Sequence, residues 1–244
     1  MTIGNGSNEA SMEYTMKYNP PIDVTAAKRV LIETKEIFDR GGITFFLASG
    51  ACLGAVRDGS FISWDDDVDL FSIIGMNNLS EESILMTVAV FTENGCFARR
   101  NYVPNSFNHS FIKDWVRIDW ACGYPVNNSV FSYPGIYIPI QLFEHPKAVE
   151  FLDTTFLVPN PPEEYLRLKY GDQWIVPKKP GAYEIDVVEK IPTKTVIREP
   201  CHIRVLDAQS QLVRIDYPAR RSRKGTVHGR TNPRNNLCVS TRSP

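Results

Sequence analysis

Residues 47–70 read LASGACLGAVRDGSFISWDDDVDL. In Asp67-Val68-Asp69-Leu70, strand alternation sends the two carboxylates to one face and Val68 and Leu70 to the other. Two adjacent carboxylates repel each other, and keeping both ionised near a core is costly without a cation. A hard divalent ion such as Mg²⁺ or Mn²⁺ takes oxygen ligands and commonly uses one or two carboxylates plus substrate phosphates. The bland alternative is an acidic loop that caps a helix or faces water. It competes well for Asp65-Asp66 and less well for the alternating pair. At the other end of the stretch, Ser49-Gly50 follows an apolar run and opens the small-residue segment Ala51 to Val56. Backbone N–H groups at a helix start suit phosphate, and small residues allow close approach, so Ser49, Gly50 and Gly54 are candidate phosphate contacts. Taken alone, Ser-Gly is only a turn. A strand, a turn, a short helix and a returning strand would bring this cradle to the Asp pair.

Arg57 ends the small-residue segment, where it either reaches phosphate in bidentate fashion or pairs with Asp58 or Asp65. Trp64 reads better as a brace for the acidic loop than as a stacking surface. A third carboxylate appears in Val116-Arg117-Ile118-Asp119-Trp120, where alternation sets Arg117 and Asp119 opposite the apolar residues. An acid in a core-like strand needs a partner. Asp119 is therefore read as metal ligand or general base, with an Arg117–Asp119 surface pair as the alternative. Lys113 is a further candidate for neutralising phosphate, although a solvated lysine is the default.

The flanking sequence supplies alternating helices and strands. Apolar spacing predicts a helix over 24–40, capped by Asp23 or Thr25 and stopped by Gly41-Gly42. Strands are expected over 43–48, 68–73, 110–112 and 116–120. A short helix is expected at 51–57, an amphipathic helix at 81–91, a hairpin over 149–158 and a helix from Pro162 to Tyr170 closed by Gly171. The fold class is mixed α/β.

The chain has 244 residues with 27 basic and 28 acidic side chains, so no global field invites nucleic acid. Residues 198–244 differ, with ten Lys/Arg against three Asp/Glu. The expected organisation is a flexible arm over 1–22, a catalytic domain over 23–197 and a basic, disordered tail over 198–244. Membrane contact through that tail is disfavoured, because charge runs are usually solvated. Neither a membrane span nor a signal peptide is legible. Five cysteines without C-x-x-C spacing read as reduced thiols, and the location as cytoplasmic.

Ala51 to Leu70, with LGAVRDGSFISWDDDVDL, resembles the LicD/fukutin family of phosphotransferases, whose members carry LGAxRxxGFIPWDDDxDI. The likeness extends to Phe45–Gly50, to Val116–Trp120 and to PPEEYLRLKYGDQWIVP (161–177), similar to the family's YL…YGDxxxxP. Ser63 stands where Pro is usual, Asp58 and Ser60 where His and Gly are common, and Trp-Ala-Cys follows Asp119 instead of Phe-Pro. The resemblance implies a nucleotidyltransferase-like fold, a small mixed sheet flanked by helices. It implies transfer of phosphocholine or a polyol phosphate from a CDP-linked donor to a hydroxyl of a glycan or lipid-linked glycan. In that reading Asp67, Asp69 and Asp119 hold the divalent ion and perform the chemistry. Two alternatives stay open: a nucleotidyltransferase that moves NMP to a small hydroxylated acceptor, and an inactive glycan-binding relative.

Overall fold

The computed structural model describes residues 5–103, 105–132 and 136–178, together with two short strands farther along. The chain divides into two units, Met1–Ile197 and Arg198–Pro244.

In the first unit, α1 (Asn5–Tyr18) and α2 (Val24–Arg40) precede β1 (Phe46–Leu47), α3 (Ser49–Leu53) and β2 (Val68–Ile73). Next come α4 (Glu81–Glu93), β3 (Phe97–Val103), β4 (Ser106–Lys113) and β5 (Val116–Gly123). The sheet runs β1-β2-β5-β4-β3, with β2 and β5 parallel and every other neighbour antiparallel. A three-stranded meander follows, β6 (Pro125–Val126), β7 (Ser129–Ser132) and β8 (Ile136–Pro139), and then α5 (Gln141–Glu144). The hairpin β9 (Lys147–Phe151) and β10 (Thr154–Val158) leads into α6 (Pro162–Tyr170). The mixed α and β fold expected from the pattern is what forms: a small mixed sheet flanked by helices.

Helix α2 begins where the Asp23 side chain accepts the Ala26 N–H at 2.8 Å, an N-cap that satisfies one orphan donor. It buries Ala27, Val30, Leu31, Thr34, Ile37 and Phe38, the apolar stripe its spacing predicts. Strand alternation then divides the sheet into two faces. Phe111 and Trp120 point to one face, where Phe38 lies 4.7 Å from Trp120 and Phe91 stacks 4.1 Å from Phe111. Ser110, Arg117, Asp119 and Asp69 point to the other.

Helix α1 corrects the expected arm. It packs against β3 and β4, with Met12, Ser11 and Thr15 buried. Arg99, which lies in register with Ser110, donates to Met16 Sδ at 3.3 Å, so α1 sits on the aspartate face. Apart from Met12 its buried stripe is small and polar, and Thr15 Oγ1 satisfies itself on the Met12 carbonyl at 3.1 Å. Hydrophobic periodicity therefore gives no signal there.

Other differences are local. Strand β1 keeps only two of the six expected residues, and Ser49, at φ 39° one residue beyond Ala48, starts α3 two residues early. Edge strand β3, FARRNYV, carries two arginines that mask its pattern. Cys52, Cys96 and Cys122 are free. No helix among the described residues is long and apolar enough to cross a membrane.

In the second unit, β11 (His202–Leu206) and β12 (Leu212–Asp216) pair antiparallel, with Ile203 opposite Ile215 and Val205 opposite Val213. Composition alone missed these two alternating stretches. The rest of the expected basic tail lies outside the described residues, as do Cys201 and Cys238.

Candidate active site

The parallel pairing of β2 with β5 sets Asp69 directly opposite Asp119, and the antiparallel pairing of β5 with β4 sets Ser110 opposite Asp119. The loop before β2 adds Asp65, Asp66 and Asp67. These five carboxylates line one cavity of about 640 Å³, with Ser49, Gly50, Trp64, Asn101, Ser132, Lys169 and Tyr170 among its other walls.

Several contacts fix the cluster. The Arg117 guanidinium is nearly buried and donates to Asp66 Oδ2 at 2.6 Å and to Asp67 Oδ2 at 2.5 Å. Its Nε stands 3.6 Å from Asp119 Oδ2, beyond hydrogen-bond length but close for charge. Ser110 donates its hydroxyl to Asp119 Oδ1, and Asn101 Nδ2 donates to Ser110 Oγ at 2.6 Å. The amide leaves the serine proton only the aspartate to meet, so Asp119 is oriented through a short relay.

At the other wall, Ser49 N–H donates to the Tyr165 hydroxyl at 3.0 Å, which ties the start of α3 to α6. Gly50 N–H points at Asp69 Oδ2, 3.4 Å away. The first two amide donors of the expected phosphate cradle thus already face protein oxygens. A side chain at Gly50 would put Cβ 2.1 Å from Asp65 Oδ2, so the carboxylate keeps this position only above a glycine.

The electrostatics follow from crowding. Burial, and then repulsion from Asp67 and Asp66, pushes the Asp65 carboxyl up to about 8. Burial followed by Asp67 lifts Asp119 to about 7, against the pull of Arg117 and Ser110. Asp69 is driven well above the usual carboxylate range by burial, then by Asp67, Asp119 and Asp65, with Lys169 opposing. Asp66 rises for the same leading reason. Such a cluster holds protons unless a cation replaces them. One carboxylate oxygen each from Asp65, Asp66 and Asp67 lie within 4.8 Å of one another. This all-oxygen donor set can bind a metal ion, and it suits a hard divalent one.

Asp67, Asp69, Asp119, Ser49 and Gly50 share the cavity. The three oxygens that lie within 4.8 Å of one another, however, belong to Asp65, Asp66 and Asp67, of which the sequence reading had selected only Asp67. Gly54, Arg57 and Lys113 do not line the cavity. At Gly54 a Cβ would stand 2.5 Å from the Ser60 carbonyl oxygen, so this glycine serves backbone packing. Arg57 donates to Asp58 at 2.8 and 2.9 Å and to the Trp174 carbonyl at 3.3 Å. Lys113 bridges Glu33 and the Asn94 carbonyl on the α2 side of the sheet. Trp64 lines the cavity with its Nε1 buried and lacking a hydrogen-bond partner.

Ser110, Asn101, Tyr165 and Lys169 were missed. The first two sit on strands whose polar residues carry no motif. Tyr165 and Lys169 are four apart on the buried face of α6, a spacing that could have revealed them.

Comparison with known proteins adds identity to this geometry. The chain is 28% identical over 163 residues to the ribitol-5-phosphate transferase FKTN of Homo sapiens, and equally to that of Macaca fascicularis. Each match covers 63% of this chain but 34% of the relative, so the chain spans about a third of the length of the relatives it matches. Residues 42–161, the span from β1 through the acidic loop and the paired strands to the β9–β10 hairpin, match the model described as LicD/FKTN/FKRP, nucleotidyltransferase domain. With the aspartate-bearing strands of the cavity inside that matched span, the site lies in a domain of the LicD family.

Proposed function

We propose that this protein is a divalent-cation-dependent phosphotransferase that moves a phospho-alcohol, polyol phosphate or phosphocholine, from a CDP-linked donor to a hydroxyl of a glycan or lipid-linked glycan. The observation that carries the reading is the gathering of five aspartates around one cavity, two on paired strands and three in the loop before β2, within a LicD domain.

The acceptor oxygen attacks the phosphorus that bears the alcohol. The new O–P bond forms as the bond to the bridging oxygen breaks, and CMP leaves with that oxygen. Asp67 and Asp69 would hold the cation, Mg²⁺ or Mn²⁺, with Asp65 and Asp66 offering oxygens beside Asp67. The cation, when bound, neutralises phosphate charge, which is most of what phosphoryl transfer asks of a protein beyond positioning. Asp119 faces the cavity in one orientation because Ser110 holds Oδ1. In this reading it either takes the acceptor's proton or adds a ligand oxygen. Arg117 keeps Asp66 and Asp67 together. Trp64 offers a ring and a buried N–H to the cavity.

Incubation with CDP-ribitol or CDP-choline, a glycan acceptor and Mg²⁺ should release CMP and yield a phosphodiester-linked product. Asp67→Asn should abolish turnover in a folded protein. Asp119→Ala should slow it by at least about 10²-fold if proton transfer is its role. Pyrophosphate released from CTP, with a nucleotidylated acceptor, would establish nucleotidyl transfer instead.

A further inference from the structure

Three large aromatic side chains of the first unit stand exposed side by side. Tyr14 and Tyr18, four residues apart on α1, are 47% and 58% exposed, and Trp115, at the tip of the β4–β5 hairpin, is 55% exposed. The Tyr14 ring joins the other two, with its centroid 4.8 Å from that of Tyr18 and 5.8 Å from that of Trp115. The rings are tilted by 46° and 84°, so they form a folded surface rather than a flat plate. Single exposed aromatics are ordinary, whereas a contiguous group is the form a recognition surface takes.

The turn that carries Trp115 is built against local preference. Lys113 pairs with Val116, so Asp114 and Trp115 make a two-residue hairpin loop, and both take positive φ, 51° and 65°. Such loops favour Asn-Gly, because a bulky side chain is strained in the left-handed region. Glycine at 115 would serve the turn better. The turn is held from two sides all the same: Arg29 of α2 meets Asp114 Oδ2 at 2.7 Å, and the Tyr14 ring meets the indole. Strain of this kind, kept in place by its surroundings, points to use of the side chain.

The surroundings select the occupant. Exposed Glu13 and Lys17 neighbour the tyrosines along α1, and the Arg29–Asp114 pair neighbours Trp115, so the charges are balanced in sign. No basic field draws this patch to an anionic membrane. Lys17 Nζ stands over the Tyr18 ring, 4.8 Å from its centroid. Aromatic faces with polar tips and charged neighbours suit a ligand that is apolar on its own faces and hydroxylated at its rim, and a pyranose sugar has that chemistry. The patch is also continuous with the cavity. Met16, between the two tyrosines in sequence, lines the cavity. Four residues beyond Tyr18, the Ile22 N–H donates to the Asp65 carbonyl at 2.9 Å. Two residues beyond Trp115, Arg117 binds Asp66 and Asp67. Helical spacing puts each tyrosine about 200° around α1 from Met16, so the rings lie across the helix from the cavity, about 10 Å away. That is too far for the sugar that reacts and within reach of sugars farther along the same chain.

We infer that Tyr14, Tyr18 and Trp115 form a stacking platform for the distal sugars of an oligosaccharide acceptor, whose reacting hydroxyl enters the cavity across α1. The inference rests on the phosphotransferase reading and adds that the acceptor is an extended chain rather than a single sugar.

The test titrates the full chain with xylohexaose, mannohexaose, chitohexaose and maltohexaose, each beside its monosaccharide, by calorimetry. Wild type should bind at least one hexaose, and the matching monosaccharide at least about tenfold more weakly. Trp115→Gly suits the φ of 65° and should fold, yet weaken the hexaose at least about tenfold, as loss of an aromatic anchor does. Trp115→Tyr should stay within about fivefold of wild type, because it keeps an aromatic face. CDP and Mn²⁺ affinities should not fall in either variant. Should Trp115→Gly fail to fold, Tyr18→Ser decides in its place, with the same tenfold loss expected. A wild type that binds no hexaose, or a hexaose affinity equal in wild type and variant, overturns the inference and leaves the phosphotransferase reading standing. Wild-type dimerisation, or binding to phosphatidylcholine vesicles, that Trp115→Gly abolishes without weakening any hexaose assigns the rings to a second copy or a membrane and overturns it too. A wild type that binds neither CDP nor Mn²⁺ overturns the phosphotransferase reading, and the acceptor role of the platform with it.

Discussion

Gly50→Ala puts the site's geometry to a quantitative trial. The added Cβ would stand 2.1 Å from Asp65 Oδ2 and 3.1 Å from its Cγ, so the carboxylate must retreat by about 1 Å to reach ordinary contact. The backbone cannot give way easily. Asp65 accepts the Ile22 N–H at 2.9 Å and donates to the Ile62 carbonyl at 3.0 Å, so the side chain itself must turn. Overpacking costs about 1–3 kcal/mol, and alanine returns about 1 kcal/mol of helix propensity, so net destabilisation stays within about 2 kcal/mol. A loss of that size moves the unfolding midpoint by only a few degrees, roughly 2–4 °C per kcal/mol in a chain of this size. Function should suffer more. One of the three converging oxygens is displaced, and misplacement by about 1 Å at a reacting centre costs on the order of 10²-fold in rate. Mn²⁺ affinity measured by calorimetry should fall at least about tenfold, as it does when a metal ligand loses its support. Adding Asp65→Ala should restore the midpoint but not the affinity. Unchanged Mn²⁺ binding in Gly50→Ala, within threefold of wild type, would falsify the role given to Asp65 as a ligand held against a glycine.

Arg117→Met strips two partly buried carboxylates of their counter-charge and should cost up to about 3–5 kcal/mol in cation-free thermal unfolding. A loss under 1 kcal/mol would show that Asp66 and Asp67 are solvated. The same crowding sets a pH dependence. Asp65 and Asp119 bind protons more tightly folded, at about 8 and about 7, than unfolded at about 4. Their contribution is therefore fully present below pH about 4 and is lost as pH rises through 7 to 8. In EDTA the midpoint should decline over that window, less steeply in Asp119→Asn, and Mn²⁺ should flatten the decline. A chain ending at Ile197 should keep the cation-dependent midpoint of the full chain if residues 198–244 lie outside the catalytic unit; loss of that response argues against the division.

Sequence legibility followed the strength of the local signal. Helix α2 and strand β2 form at the limits their apolar patterns indicate, because α2 buries one continuous apolar stripe and β2 is buried on both faces apart from Asp69. The acidic run and Asp119 were legible because ionisable residues stood among apolar ones. What was hidden depends on tertiary neighbours. Helix α1 buries serine, threonine and methionine, a surface indistinguishable from a polar arm until a sheet lies beneath it. Asp65 reads as a solvated loop residue, and only the chain's approach to Gly50 makes it a buried partner of Asp67. Lys113 looked available because its acceptor Glu33 lies 80 residues away, whereas Arg57 takes the Asp58 pairing that the sequence had left open.

The pairing of β2 with β5 also bears on how the chain becomes active during folding. It is the one parallel contact in the sheet, and α4, β3 and β4 separate its two strands along the chain. The β3–β4–β5 meander and α2 rest on local contacts and can form early, whereas the crossover closes a long loop and comes late. Asp69 and Asp119 meet only in that closing step, so mutual repulsion is deferred until the hydrophobic contacts of Leu70 and Trp120 are there to offset it. A chain stalled before this step would keep much of its native secondary structure and still have no ion-binding centre. Recovery of activity therefore reports completion of the topology rather than the formation of helices and hairpins.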